Sequence, residues 1–256
     1  MKCPATKWNI ESLIMNEQFF LGYTVEFKKL CLVYPPKVKD VVANKRYGIY
    51  TRILTFSQEE IEDDFIEHGK DLKDLLTPFE FLLNNAFHDK QIEQLTKDSF
   101  EFFVHEPVLF LYEQKMIVIG EVKDVKGIDD LSILRDDDFL AFQNLIREAI
   151  GAKSIEPPRM DEDPRVKAIK AKARYRDKVK AKKGLGLKLS TSLAAICCMN
   201  MNLNPLNIGE LSYAAVPVLM NMYQEKEKYN LDIDSILAGG DSKKIKPQYW
   251  IRNLED

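Results

Sequence analysis

Few residues of this chain have types and spacings suited to covalent chemistry. The histidines His68, His88 and His105 each lie in a charged helical or loop context, and His105-Glu106 is the candidate acid–base pair. General acid–base work needs the two groups to meet, and adjacent side chains on a helix point apart. No G-x-S-x-G elbow, Walker loop, G-x-G-x-x-G turn or H-E-x-x-H helix occurs. Cys3, Cys31, Cys197 and Cys198 form no C-x-x-C pair and have no histidine close by, which argues against structural zinc. Cys197 and Cys198 sit in the apolar run LAAICCMNM, where free cysteine behaves as a small hydrophobe, and free thiols fit a reducing cytoplasm. The acids Glu59, Glu60, Glu62, Asp63 and Asp64 spread around a helix instead of converging. Asp136–Asp138 stand at a helix start, where acids cap the helix and meet its dipole. The expectation is a protein with no catalytic residue, no metal and no cofactor.

What remains is recognition without bond making. From Pro164 to Lys183 the chain reads PRVKAIKAKARYRDKVKAKK, with ten Lys/Arg against the single acid Asp177. That segment is +9 in a chain of net charge −3, so the remainder carries −12. Such an arm reads as a solvated helix, as a contact for acidic protein surface, or as a contact for nucleic-acid phosphates. Only Tyr175 interleaves its charges, a poor stacking platform for single strands. The candidate partner-binding residues are Arg165, Lys167, Lys170, Arg174, Lys178 and Lys182 on the arm, with Met220 and Trp250. Met199, Met201, Met220 and Met222 read either as core or as an adaptable groove lining.

These residues need elements to position them, and helix signals dominate. The 256 residues, 45% hydrophobic, can bury a core, and no apolar run is long enough for a membrane span. The first twenty residues are interrupted by Asn and Glu and do not read as a secretory signal. Thr24 is expected to cap a short helix to Cys31, and Pro36 to open another with Val38, Val41 and Val42. Ser57–Glu60 and Thr77–Glu80 read as capping boxes. A further helix spans about Lys90–Val104, and Phe139, Phe142, Leu145, Ile146 and Ala149 mark another, closed by Gly151. Val108–Tyr112 and Lys115–Ile119 read as a hairpin, apolar on both faces and expected to be helix-covered, with a loop longer than Glu113-Gln114. In the C-terminal part Ser190 or Ser192 is expected to cap a helix to Met199. Asn207–Glu210 is expected to box-cap a longer helix, kinked or split at Pro217, and a short helix is expected at Leu231–Ala238. The expected class is mainly α with a small β-hairpin, an α+β chain. It divides into a helical N-terminal domain (1–151), a Pro-containing linker and basic helical arm (152–188) and a small helical C-terminal domain (189–256).

Several stretches carry a family resemblance: VEFKKLCLVYPPKVKDVV (25–42), LTFSQEEIEDDF (54–65), LLTPFEFLLNN (75–85), FEFFVHEPVLFLYEQKMIVIG (100–120), DDDFLAFQNLIREAIG (136–151) and the run from Asn204 to Trp250. Together they resemble a family of proteins encoded in the tail modules of bacteriophages of Gram-positive bacteria. The resemblance implies a tail-assembly protein similar in role to the chaperones that attend the tape measure protein. Its partners would be phage tail proteins, with self-association, and its place the host cytoplasm during assembly. The alternatives are a structural component of the virion tail and a nucleic-acid-binding module working through 164–183. No catalytic residue is carried over by the resemblance.

Overall fold

The computed structural model describes residues 17–67, 76–121, 132–155, 188–199, 202–240, 245 and 247. The chain divides into two compact units, one of Met1–Pro157 with Glu210–Ala215, the other of Pro158–Gly209 with Val216–Asp256. Among the described residues the structure is mainly helical, the expected class, with two small antiparallel sheets in place of the single expected hairpin.

In the first unit the order is β1 (Val25–Phe27), β2 (Cys31–Val33), α1 (Val38–Ala43), α2 (Tyr47–Thr55), α3 (Gln58–Glu67), α4 (Pro78–His88), α5 (Lys90–Val104), β3 (Val108–Leu111), β4 (Met116–Ile119), β5 (Ser132–Leu134) and α6 (Asp136–Ala149). The helix expected from Thr24 to Cys31 is instead the β1–β2 hairpin, pairing Val25 with Val33 and Phe27 with Cys31. Burial alternates with period two along both strands, and Lys28 and Lys29 reverse the chain at φ 46 and 59. Two consecutive left-handed lysines cannot be read from side-chain type, and they decide hairpin over helix.

Both first-unit capping boxes form. Glu60 N–H donates to the Ser57 hydroxyl at 3.3 Å and Ser57 N–H to the Glu60 carboxylate at 2.9 Å. Thr77 and Glu80 repeat the exchange at 3.1 and 3.4 Å. Helix α5 keeps its expected bounds and ends at His105, whose left-handed backbone (φ 61) terminates it. The Asp136–Asp138 triplet occupies the first turn of α6, but Arg135 is the cap residue and has no side-chain cap bond. Asp136 accepts from the Thr77 hydroxyl at 2.8 Å and Asp138 pairs with Lys28, so the acids tie this helix end to α4 and to the β1–β2 turn. Gly151, at φ 70, follows the helix as expected.

The core lies where α5 packs on α2 and α4, α6 packs on the same two helices, and β2 lies against α5 and α6. Phe100 stacks on Phe142 with ring centroids 5.3 Å apart, and Phe27 meets the Phe142 ring edge-on at 5.5 Å. The far ends of α6 and α2 are joined by polar contacts. Gln143 Nε2 donates to the Phe56 carbonyl at 2.9 Å and Arg147 Nη1 to the Thr55 carbonyl at 2.9 Å. These side chains, one helical turn apart on α6, satisfy carbonyls left free where α2 ends.

The expected β3–β4 hairpin is present, with a four-residue loop, Tyr112–Lys115, and a third strand makes β4 central. Val108, Phe110, Ile117, Ile119 and Leu134 face the core. The expected cover on both faces holds for β4, where Val118 is buried, but not for the edge strand β3, where Leu109 is 45% exposed. Gly120 leaves β4 at φ 96, a left-handed backbone that strains any side chain, and a Cβ there would stand 3.0 Å from the movable end of the Glu106 side chain.

The second unit holds α7 (Leu189–Met199), and from Val216 onward α8 (Ala215–Leu237); a 3₁₀ turn covers Ile208–Glu210. Helix α7 begins before Ser190, so neither expected serine caps it. The expected box at Asn207–Glu210 does not form. The Asn207 amide accepts from Asn204 N–H at 2.7 Å within its own turn, and the Glu210 carboxylate goes to Lys37 and Lys39. Pro217 neither kinks nor splits a helix: it lies in the first turn of α8, where no intrahelical N–H is needed, and α8 runs unbroken through the short helix expected at Leu231–Ala238.

Candidate partner-binding groove

In the first unit the chain between β2 and α2, together with α5, encloses an open groove of about 1040 Å³. Its lining includes Gly22, Thr24, Tyr34, Pro35, Pro36, Lys37, Lys45, Arg46, Tyr50, Asp98, Glu101, Phe102 and His105. Each wall has a local cause. Tyr34 N–H donates to the Phe103 carbonyl at 2.8 Å, which anchors the end of β2 against α5. Its ring then stacks on His105 at 4.0 Å, and His105 is turned there by the left-handed end of α5. Pro35-Pro36 breaks the strand before α1. Asp98, on α5, accepts from the Tyr50 hydroxyl at 3.4 Å and from Gln94 Nε2 at 2.7 Å, and lies 3.8 Å from the Arg46 guanidinium.

The groove lining combines aromatic side chains with charges of both signs. The His105 ring stacks on Tyr34 where α5 ends, while the neighbouring Glu106 carboxylate faces Gly120. Burial pushes the Cys31 thiol up to about 12, with the Glu106 charge adding to it, which suppresses thiolate chemistry there. Among the described residues no cluster of His, Cys, Asp and Glu could hold a metal ion. None of their helices is long and apolar enough to cross a membrane.

Lys37, which lines the groove, shares Glu210 with Lys39, the carboxylate standing 2.8 Å from Lys37 Nζ and 2.7 Å from Lys39 Nζ. Those two hydrogen bonds hold the Glu210 carboxyl down at about 2. The same bond and charge raise Lys39.

Of the residues expected to bind partners, Met220 is half-buried on α8, as is Met222. Arg165, Lys167, Lys170, Arg174, Lys178, Lys182 and Trp250 lie outside the described residues, as do His68, Cys3 and Met201. The groove residues escaped the sequence reading because their signals are ordinary ones: a Tyr-Pro-Pro break, a helix-ending histidine and scattered charges. Only the fold brings them together.

The C-terminal part has a relative by sequence. Residues 178–255 match the model of the YomV second domain, a phage-associated family name. The matched segment takes in α7, Glu210–Ala215 and α8, and with them Lys178, Lys182, Met220 and Trp250. The groove lining, from Gly22 to His105, falls before it. No curated protein and no solved structure matches the chain.

Proposed function

We propose that this chain is a non-enzymatic bacteriophage assembly protein, a chaperone or scaffold that binds tail proteins, the tape measure protein among them, in the host cytoplasm. The observation that carries the reading is the match of residues 178–255 to a phage-associated domain. The groove supports it from the other half of the chain, since a chaperone of long helices needs an open surface with apolar faces and charges at its rim. Tyr34 and Phe102 supply the apolar faces, while Arg46, Lys45 and Glu101 supply the rim charges.

Co-expression with the tape measure protein of the same phage, followed by affinity capture, tests the proposal. The expected result is a complex at native salt that the double change Tyr34→Ala, Arg46→Glu abolishes while the melting transition persists. Absence of any complex removes the chaperone reading. Mass spectrometry of purified particles separates a chaperone, which leaves, from a virion component, which stays. The +9 charge of residues 164–183 favours a second reading, nucleic-acid binding. That reading requires a shift of DNA or RNA that collapses steeply between low and moderate salt.

A further inference from the structure

Glu210–Ala215 belongs to the first unit although the chain on both sides of it belongs to the second. This six-residue strap is held through both main chain and side chains. Lys37 and Ser212 form an antiparallel bridge, with Val38 N–H donating to the Leu211 carbonyl at 2.9 Å and Tyr213 N–H to the Pro36 carbonyl at 2.8 Å. The buried Ser212 hydroxyl donates to the Phe19 carbonyl at 2.6 Å. The Tyr213 ring meets Tyr47 edge-on at 5.4 Å, and Ala214 enters the core cluster. An isolated bridge of this kind pairs backbone with backbone, with side chains fixing the register.

Two features make the strap exchangeable. The apolar side chains it buries fully are the small ones of Ala214 and Ala215, while Leu211 and Tyr213 are only half-buried, so the apolar area holding it is modest. Its partners are remote in sequence, 173 positions from Glu210 to Lys37 and 193 from Ser212 to Phe19, so no local tether assigns it to its own seat. A second copy of the chain presents the same six residues with the same contact energy. The choice between own and neighbouring strap is then set by effective concentration and by the entropy of closing the internal loop. Segment exchange is a low-cost route to dimers under those conditions.

We propose that copies of this chain exchange the strap, Glu210–Ala215 of one filling the seat that Phe19, Pro36, Lys37 and Val38 form on another. Reciprocal exchange closes a pair, and one-way exchange links copies in a row. Pro36 and Lys37 also line the groove, so the exchanged strap pairs with two residues of its lining.

The test is a disulfide trap. Lys37 and Ser212 are a non-hydrogen-bonded antiparallel pair, whose Cα spacing of about 4.5 Å suits a disulfide. In a background with Cys3→Ser, Cys31→Ala, Cys197→Ser and Cys198→Ser, one preparation carries Lys37→Cys and another Ser212→Cys. After mixing and mild oxidation, exchange yields a covalent dimer in excess of that from either preparation alone. A double variant that closes only within single chains, with no dimer from the mixture, overturns the proposal. Sedimentation of the unaltered chain decides independently of the cysteines: exchange yields an oligomer that Ala214→Asp dissociates, and a monomer at every concentration overturns it.

Discussion

Glu210 shows how one side chain is given work by residues far from it. Its carboxylate is exposed, so the ion pairs with Lys37 and Lys39 are screened by salt and fix geometry more than they add stability. Their mark is in the titration. The Glu210 carboxyl is held at about 2 in the folded chain against 4.5 in its absence. A depressed carboxyl contributes above the unfolded value and loses that contribution as pH falls through the folded one. The contribution is therefore whole above pH 4.5, declines below it, and is gone below about 2. A carboxyl ¹³C titration of Glu210 is expected to show this low midpoint, and Lys37→Met with Lys39→Met to return it toward 4.5. An unchanged midpoint in the double variant would mean that the lysines are not its cause. Glu80 is lowered in the same sense, first by its hydrogen bond from Lys115, and 2.7 Å separates that pair across the α4 start and the hairpin loop.

At the scale of elements, α6 is the organiser of the first unit. Its apolar side meets α2, α4 and β2, and its polar side chains Gln143 and Arg147 close the end of α2. Phe142 sits at the centre, between Phe100 and Phe27. Phe142→Ala empties a site that is fully buried and is expected to cost about 3–5 kcal/mol in chemical denaturation. Thr77→Ala removes one cap bond at the start of α4 and is expected to cost only about 1 kcal/mol. If the two changes cost the same, packing is not what holds α6 in place. The second unit is built differently. Its long α8 opens with Pro217 in the first turn and follows directly on a strap that serves the other unit.

For the whole molecule, charge separates a basic segment of +9 from a remainder of −12. Reversing Lys167, Lys170, Arg174 and Lys178 to Glu is expected to abolish partner capture while leaving the thermal transition of the first unit in place; unchanged capture would return the arm to a solvated role. Much of the architecture was legible without coordinates. The helical class, the Ser57 and Thr77 boxes, the bounds of α5, the apolar face of α6 and the Val108–Ile119 hairpin all rest on interactions within a few residues, which spacing and side-chain type specify. The β1–β2 hairpin was not legible, because its turn depends on two left-handed lysines. Nor was the fate of Asn207–Glu210, a box in sequence whose glutamate is drawn away by lysines 173 and 171 positions earlier. The groove and the strap seat belong to the same class. Local rules determine which segments coil or extend, whereas the meeting of Tyr34 with His105, or of Ser212 with Phe19, is decided by how whole elements pack, and no spacing along the chain encodes it.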